Sequence, residues 1–208
     1  MNRLRNTGWQ RLLMRCLLTA TISCAFALPA LANTPQQVIE ESIALLDEKL
    51  TGKQEELAED RGQLYELIDS ILLPRFDRKY AAQLVLGKYW RRADTAQRER
   101  FISAFYQSLL RRYADGVLEF DQSRIEILPF DGDLAEQRTR VKTMVTLEDG
   151  TRVPVDYALV NRDGNWLVFD VRIEGISYVQ NFRAELNSEI QAKSLDAVIE
   201  RLEAEVVE

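Results

Sequence analysis

Three carboxylates fall on the strand-like second half of the chain, Asp156, Asp170 and Glu174. Two such groups held close together could run general acid–base chemistry. All three sit on the polar side of an apolar/polar alternation, so solvent-exposed pairing with Arg or Lys is the expected role. Three basic clusters, Arg91-Arg92, Arg98 with Arg100, and Arg111-Arg112, could meet phosphate groups or acidic partners, but read first as solvated helix faces. The chain contains no histidine. That excludes Ser-His-Asp and Cys-His nucleophiles, histidine-ligated zinc and imidazole bases together. It has no glycine-rich phosphate loop. Any catalysis would fall to Asp, Glu, Lys or Tyr.

The elements that would carry these groups come in two blocks. Thr34-Pro35-Gln36-Gln37 is a capping box with Pro at the first helical position, followed by Ile39, Ile43, Leu46 and Leu50 at helical spacing. Gly52 to Asp60 reads as a polar break. Leu64, Leu67, Ile68, Ile71 and Leu72 predict a second helix over 61–73, ended by Pro74. Asp77 caps a third, 78–86, stopped by Gly87. Asp94 with Gln97 opens a long helix to about Leu118, with Phe101, Phe105, Leu109, Tyr113 and Val117 along one side. The period then changes to two. Ile125 and Ile127 mark a short strand. Val141 to Leu147, Val153 to Leu159 and Leu167 to Ile173 alternate around turns at 148–151 and 162–165. Gly175 is read as the end of the sheet, and two helices follow over 177–192 and 194–204. The fold class is α+β: N-terminal helices, a four-stranded curved antiparallel sheet, C-terminal helices.

Helices and one sheet face leave a single apolar layer. A filled core is the plain reading of it; a ligand cavity under a curved sheet is the alternative. Pattern alone does not separate the two. If the layer is hollow, its wall is expected from Phe76, Tyr80, Leu84, Phe105, Leu109, Tyr113, Val145, Tyr157, Phe169, Val171 and Tyr178. Trp90 and Trp166 read as satellite packing beside turns and helix ends.

The first stretch is an address. Arg3, Arg5, Arg11 and Arg15 precede the uncharged apolar run Leu17 to Leu28, and Ala30-Leu31-Ala32 is a small-residue cleavage site. This is the pattern of a secretory signal peptide over 1–32, leaving a single domain over 33–208 that begins at Asn33 in the periplasm. Both cysteines, Cys16 and Cys24, lie in the signal, so a disulfide is not expected to hold the mature fold. Loss of the four arginines takes the net charge from −6 to −10. Such a charge argues against nucleic acid and against electrostatic adsorption to anionic lipid. A monomer is the default expectation.

One ordered set of motifs goes further. Leu86-Gly87-Lys88-Tyr89-Trp90-Arg91-Arg92-Ala93, then Gln97-Arg98, Phe101, Phe105 and Tyr113, resembles the MlaC family, the toluene-tolerance phospholipid-binding proteins. The match continues at Trp166-Leu167-Val168-Phe169-Asp170-Val171, at Glu174-Gly175-Ile176-Ser177 and at Asn181-Phe182-Arg183, and spans about Val38 to Leu202. The resemblance implies a cone-like sheet related to the nuclear-transport-factor-like folds, with helical additions. It implies a periplasmic phospholipid shuttle that maintains outer-membrane lipid asymmetry, with no cofactor beyond phospholipid as cargo and no catalytic or metal site. Implied partners are an outer-membrane lipoprotein–porin complex and an inner-membrane ABC-type lipid transporter. Asp94-Thr95-Ala96 departs from the family's helix start, and 52–62 carries no motif that aligns. Rival readings are a hydrolase or isomerase on a related cone-shaped fold, and a protein-binding module with a solid core.

Overall fold

A computed structural model describes residues 33–207; the signal-peptide reading of 1–32 lies outside them. The N-terminal helices are α1 (Pro35–Leu50), α2 (Gln54–Glu59), α3 (Arg61–Leu72), α4 (Arg78–Leu86) and α5 (Thr95–Leu118). The sheet strands are β1 (Ile125–Ile127), β2 (Arg138–Thr146), β3 (Arg152–Arg162), β4 (Asn165–Ile173) and β5 (Ile176–Ser177), and α6 (Tyr178–Ala192) and α7 (Leu195–Val207) follow. Both expected capping boxes form: Gln37 N donates to Thr34 Oγ1 at 3.2 Å, and Gln97 N to Asp94 Oδ1 at 2.8 Å. Each ties down a backbone N–H that the first helical turn leaves without a partner. Asp77 caps α4 in the same way, accepting from Tyr80 N at 2.9 Å.

Two boundaries differ from expectation. The segment 52–60 is not a plain break, because it contains α2, anchored by buried Leu57. A six-residue helix with one core residue has too little periodicity to register in a sequence. The sheet has five strands, not four, in the order β1-β2-β3-β4-β5, every neighbouring pair antiparallel. The additional β5 turns back on β4 through Glu174 and Gly175, both at positive φ, and pairs Ile173 with Ile176.

The decisive irregularity lies in β4. Tyr157 pairs with Val171 and Ala158 with Asp170, but Leu159 pairs with Val168, so Phe169 is the extra residue of a β-bulge. A bulge bends its strand and reverses the alternation beyond it. Unbroken alternation predicts that Leu167 and Phe169 continue the inward register of Val171 and Ile173. Instead Trp166 and Val168 turn to the side that meets α1, packing with Val38, Ile39, Val141 and Leu159. Trp166 is therefore a buried core residue, not satellite packing.

Apolar side chains gather in three clusters. One joins α4, α5, α6 and α7 through Phe101, Phe105, Phe182, Leu186, Val198 and Ile199. A second lays α1 on the sheet. A third packs the end of α1, α2 and α3 on the C-terminal half of α5 through Leu50, Leu57, Leu64, Ile68 and Leu110. The first is fastened at its edge by polar contacts: Ser108 donates to Glu205 at 2.6 Å, and Arg201 donates to Glu189 at 2.9 Å, linking α7 to α5 and α6.

α4 ends at Gly87, with φ 52° and ψ −112°, a conformation that side-chain-bearing residues rarely adopt. A methyl at this position would also lie 2.8 Å from the Arg183 guanidinium. That group ends a flexible side chain and can move aside, so the backbone sets the cost. Gly87→Ala is expected to lower unfolding stability by about 1–3 kcal/mol. In urea melts, adding Arg183→Ala should leave that loss in place; full recovery would show that the clash, not the backbone, dominates.

Candidate ligand cavity

A cavity of about 420 Å³ opens where the three clusters fail to close on one another, with an almost wholly apolar lining. Its size falls in the range of small-molecule pockets, ~300–1,000 Å³. Five elements supply most of it, with single or paired contributions from α3 (Ile68, Leu72), α4 (Ala81) and β1 (Ile125). α5 contributes Phe105, Leu109 and Tyr113, one above another at i, i+4, i+8, together with Tyr106, Leu110, Ala114 and Val117 on the next row. β4 contributes every residue from Val168 to Ile173 except Arg172, and β3 contributes Tyr157. α1 lends Ile39, Ser42, Ile43 and Leu46, and α6 lends Tyr178, Val179 and Phe182.

The aromatic side chains hold one another in place. Phe105 stacks on Phe101 at 5.5 Å and meets Phe182 edge-on at 5.4 Å. Tyr113 meets Tyr178 edge-on at 5.4 Å. Offset and T-shaped pairs of this kind are the favoured geometries of aromatic rings. Tyr113 is 42 % exposed although it lines the cavity, which places the opening beside it.

Three of the polar groups in the wall are already engaged. Ser42 Oγ donates to Val38 O at 2.6 Å. Arg75 donates to Ile71 O at 2.9 Å and lies 3.7 Å from Glu41. Tyr106 donates to Asp69 at 2.7 Å; burial first, then that hydrogen bond, push its phenol well above the usual range. Burial alone pushes the Tyr157 phenol up. Tyr113 is raised by burial and by Tyr178, against the opposing pull of Arg112.

Asp170 overturns the expectation of an exposed carboxylate. It is only 5 % exposed, accepts from Ser177 Oγ at 2.6 Å and from Val179 N at 3.0 Å, and lies 3.7 Å from Arg172 Nε. Ser177 in turn caps Gln180 N at 3.1 Å. Asp170 thus seats the positive end of the α6 dipole on the sheet. Asp156 keeps the expected surface role, accepting from Arg140 at 3.3 Å.

Of the expected wall residues, Phe76, Phe105, Leu109, Tyr113, Tyr157, Phe169, Val171 and Tyr178 line the cavity; Tyr80, Leu84 and Val145 do not. α4 presents Ala81 instead, and Tyr80 stands behind the wall, edge-on to Phe169 at 5.0 Å. Leu84 lies on the flank of a helix whose buried stripe is Ala81, Ala82, Val85 and Leu86. Val145 pairs with Ile125 and Val153 near the β2–β3 turn; Ile125 reaches the hollow but Val145 does not. The α1 and α3 lining was not anticipated. Its apolar repeat was visible in sequence, but nothing there said which stripe would face empty space.

Helices and a curved antiparallel sheet closed around an apolar hollow define an α+β protein of the cavity-bearing kind. The MlaC protein family model matches residues 38–204, and the chain belongs to that family. It is 29% identical over 178 residues to the toluene tolerance protein ttg2D of Pseudomonas putida, covering 84% of this chain and 82% of that one. It is 21% identical over 179 residues to the intermembrane phospholipid transport system binding protein MlaC of Haemophilus influenzae, covering 84% and 83%. Its fold is similar to that of the phospholipid-binding protein from Ralstonia solanacearum in complex with a phospholipid, with TM-score 0.75, 19% identity and coverage of 84% of this chain and 98% of that one.

The two strand carboxylates should separate cleanly on mutation. Asp170→Ala strands two buried donors and the Arg172 cation, and is expected to cost about 2–3 kcal/mol. Asp156→Ala removes a surface pair worth about 1 kcal/mol or less. Chemical denaturation of the two variants in parallel checks this; equal losses would contradict the burial assigned to Asp170.

Proposed function

We propose that this protein is a periplasmic phospholipid carrier. It would travel as a single domain after cleavage behind Ala32, shield acyl chains in the apolar cavity, and pass lipid between an outer-membrane lipoprotein–porin complex and an inner-membrane ABC-type transporter, maintaining outer-membrane lipid asymmetry. The observation that carries the reading is the cavity itself, roomy and almost wholly apolar in a place where a protein of this size would otherwise bury its core. Family membership and the printed roles of the relatives support it. No helix among the described residues is long and apolar enough to cross a membrane, which fits a protein that moves between membranes.

Energetics favour a shielded tail strongly enough to make release the harder step. Each buried CH₂ contributes ~0.8 kcal/mol, so a dozen give on the order of 10 kcal/mol before association costs. Handover then needs a partner that stabilises an opened or emptied state. An enzymatic reading is less well supported, because the charged groups of the wall, Asp170 and Arg75, are spent on a helix terminus and on a backbone carbonyl.

Native mass spectrometry of the purified protein should find phospholipid bound. Val171→Trp places an indole in the hollow and should leave the lipid-free protein folded while excluding cargo. Val145→Trp, outside the hollow, should keep its lipid. A clean apo mass for the wild type, or equal lipid loss in both variants, would count against the carrier.

A further inference from the structure

The carrier reading concerns the tails; the rim of the same cavity suggests what it requires of the polar end. Arg75, the cation of the wall, is used up on Ile71 O and Glu41. Arg111 is likewise occupied, donating to Gln107 at 2.9 Å with its guanidinium 4.9 Å above the Tyr65 ring. Arg112 differs. It is exposed and makes no ion pair among the described residues, and its guanidinium lies 5.3 Å above the ring of Phe182, a wall residue. Stacking of this kind fixes the plane of an arginine while leaving its edge N–H groups free. Beside it stand the phenols of Tyr113 and Tyr178, ring against ring at 5.4 Å, with Tyr113 at the opening. One fixed cation and two hydroxyls therefore ring the point where a molecule with its tails inside must leave its head.

Resting on the carrier reading, we infer that Arg112, with Tyr113 and Tyr178, forms a subsite for the phosphodiester of the bound lipid. Arginine's planar fork matches phosphate oxygens, and phenols donate to the same atoms. Glu185 also acts electrostatically on Tyr113 and limits the positive charge of the rim. One fixed cation matches the single charge of a diester better than the double charge of a free dianion. Every phospholipid with an esterified headgroup carries this diester, so the subsite accepts diverse headgroups and disfavours tails that lack phosphate.

The test uses the lipid-free mature protein and four probes: dioleoyl-phosphatidylglycerol, dioleoyl-phosphatidylethanolamine, dioleoylglycerol and inorganic phosphate. The wild type should bind the two phospholipids alike and dioleoylglycerol more weakly. Arg112→Gln should weaken both phospholipids on the order of tenfold, the size of one charge-assisted hydrogen bond, and so erase the preference over dioleoylglycerol. Arg112→Lys should restore part of it, and Tyr113→Phe with Tyr178→Phe should reduce it. Equal wild-type affinity for dioleoylglycerol and phospholipid would overturn the subsite while leaving the carrier intact. So would a fall in all three lipids together in Arg112→Gln, which would mark a merely structural arginine. Inorganic phosphate should not shift the melting temperature; a shift equal to that from phosphatidylglycerol would assign the site to a free anion instead. Binding of none of the lipids would remove the carrier reading and the subsite with it.

Discussion

The bulge at Phe169 is the constraint from which the rest of the architecture follows. One unpaired residue lets a single strand serve two neighbours. Before it, Trp166 and Val168 pack with α1 and the sheet. After it, Val171 and Ile173 face the hollow. Phe169 fills the corner between them and is braced from behind by Tyr80. The strand then delivers Asp170 to the start of α6, where its carboxylate holds both Ser177 and Val179. Without the extra residue the alternation would run through unbroken, and Trp166 would turn away from α1. The bulge thus fixes both the seat of α1 and the side of the sheet that stays uncovered.

Much of this organisation can be read from residue order, and the failures have physical causes. Capping boxes at Thr34 and Asp94, the stop at Gly87 and the hairpin turns depend on local chemistry, and local chemistry is visible in a string of letters. The bulge is not, because Trp166-Leu167-Val168-Phe169 is apolar at every position and no alternation exists there to be seen breaking. β5 escaped because two residues cannot show a period. Asp170 was misplaced for a related reason. Its strand position does point away from Val171, but the N-terminus of α6 covers that side, and a helix terminus leaves no mark on the strand it covers.

The cavity marks the limit of such reading. The α5 repeat of Phe105, Leu109 and Tyr113 would look the same in a solid core. Whether apolar rows meet or stand apart depends on the distance between elements. Here that distance is set by three clusters, each packed around its own buried side chains, with Phe120 bridging the second and third. Because each closes around its own large side chains, none can collapse into the space between them without breaking its own packing. The hollow is therefore held open by the quality of its surroundings, at a cost in cohesion that a uniformly packed protein does not bear.

That cost has a volumetric side. Apolar walls hold water poorly, and whatever part of such a hollow stays dry is volume that unfolding abolishes. Compression therefore works against the empty protein more than against the occupied one. A chain of methylenes seated in the cavity would act as a mechanical filler, supplying the missing dispersion contacts and stiffening the shell around it. Without such a filler the shell is the softer and more compressible form, so on the carrier reading the protein's elasticity would change with each loading and unloading.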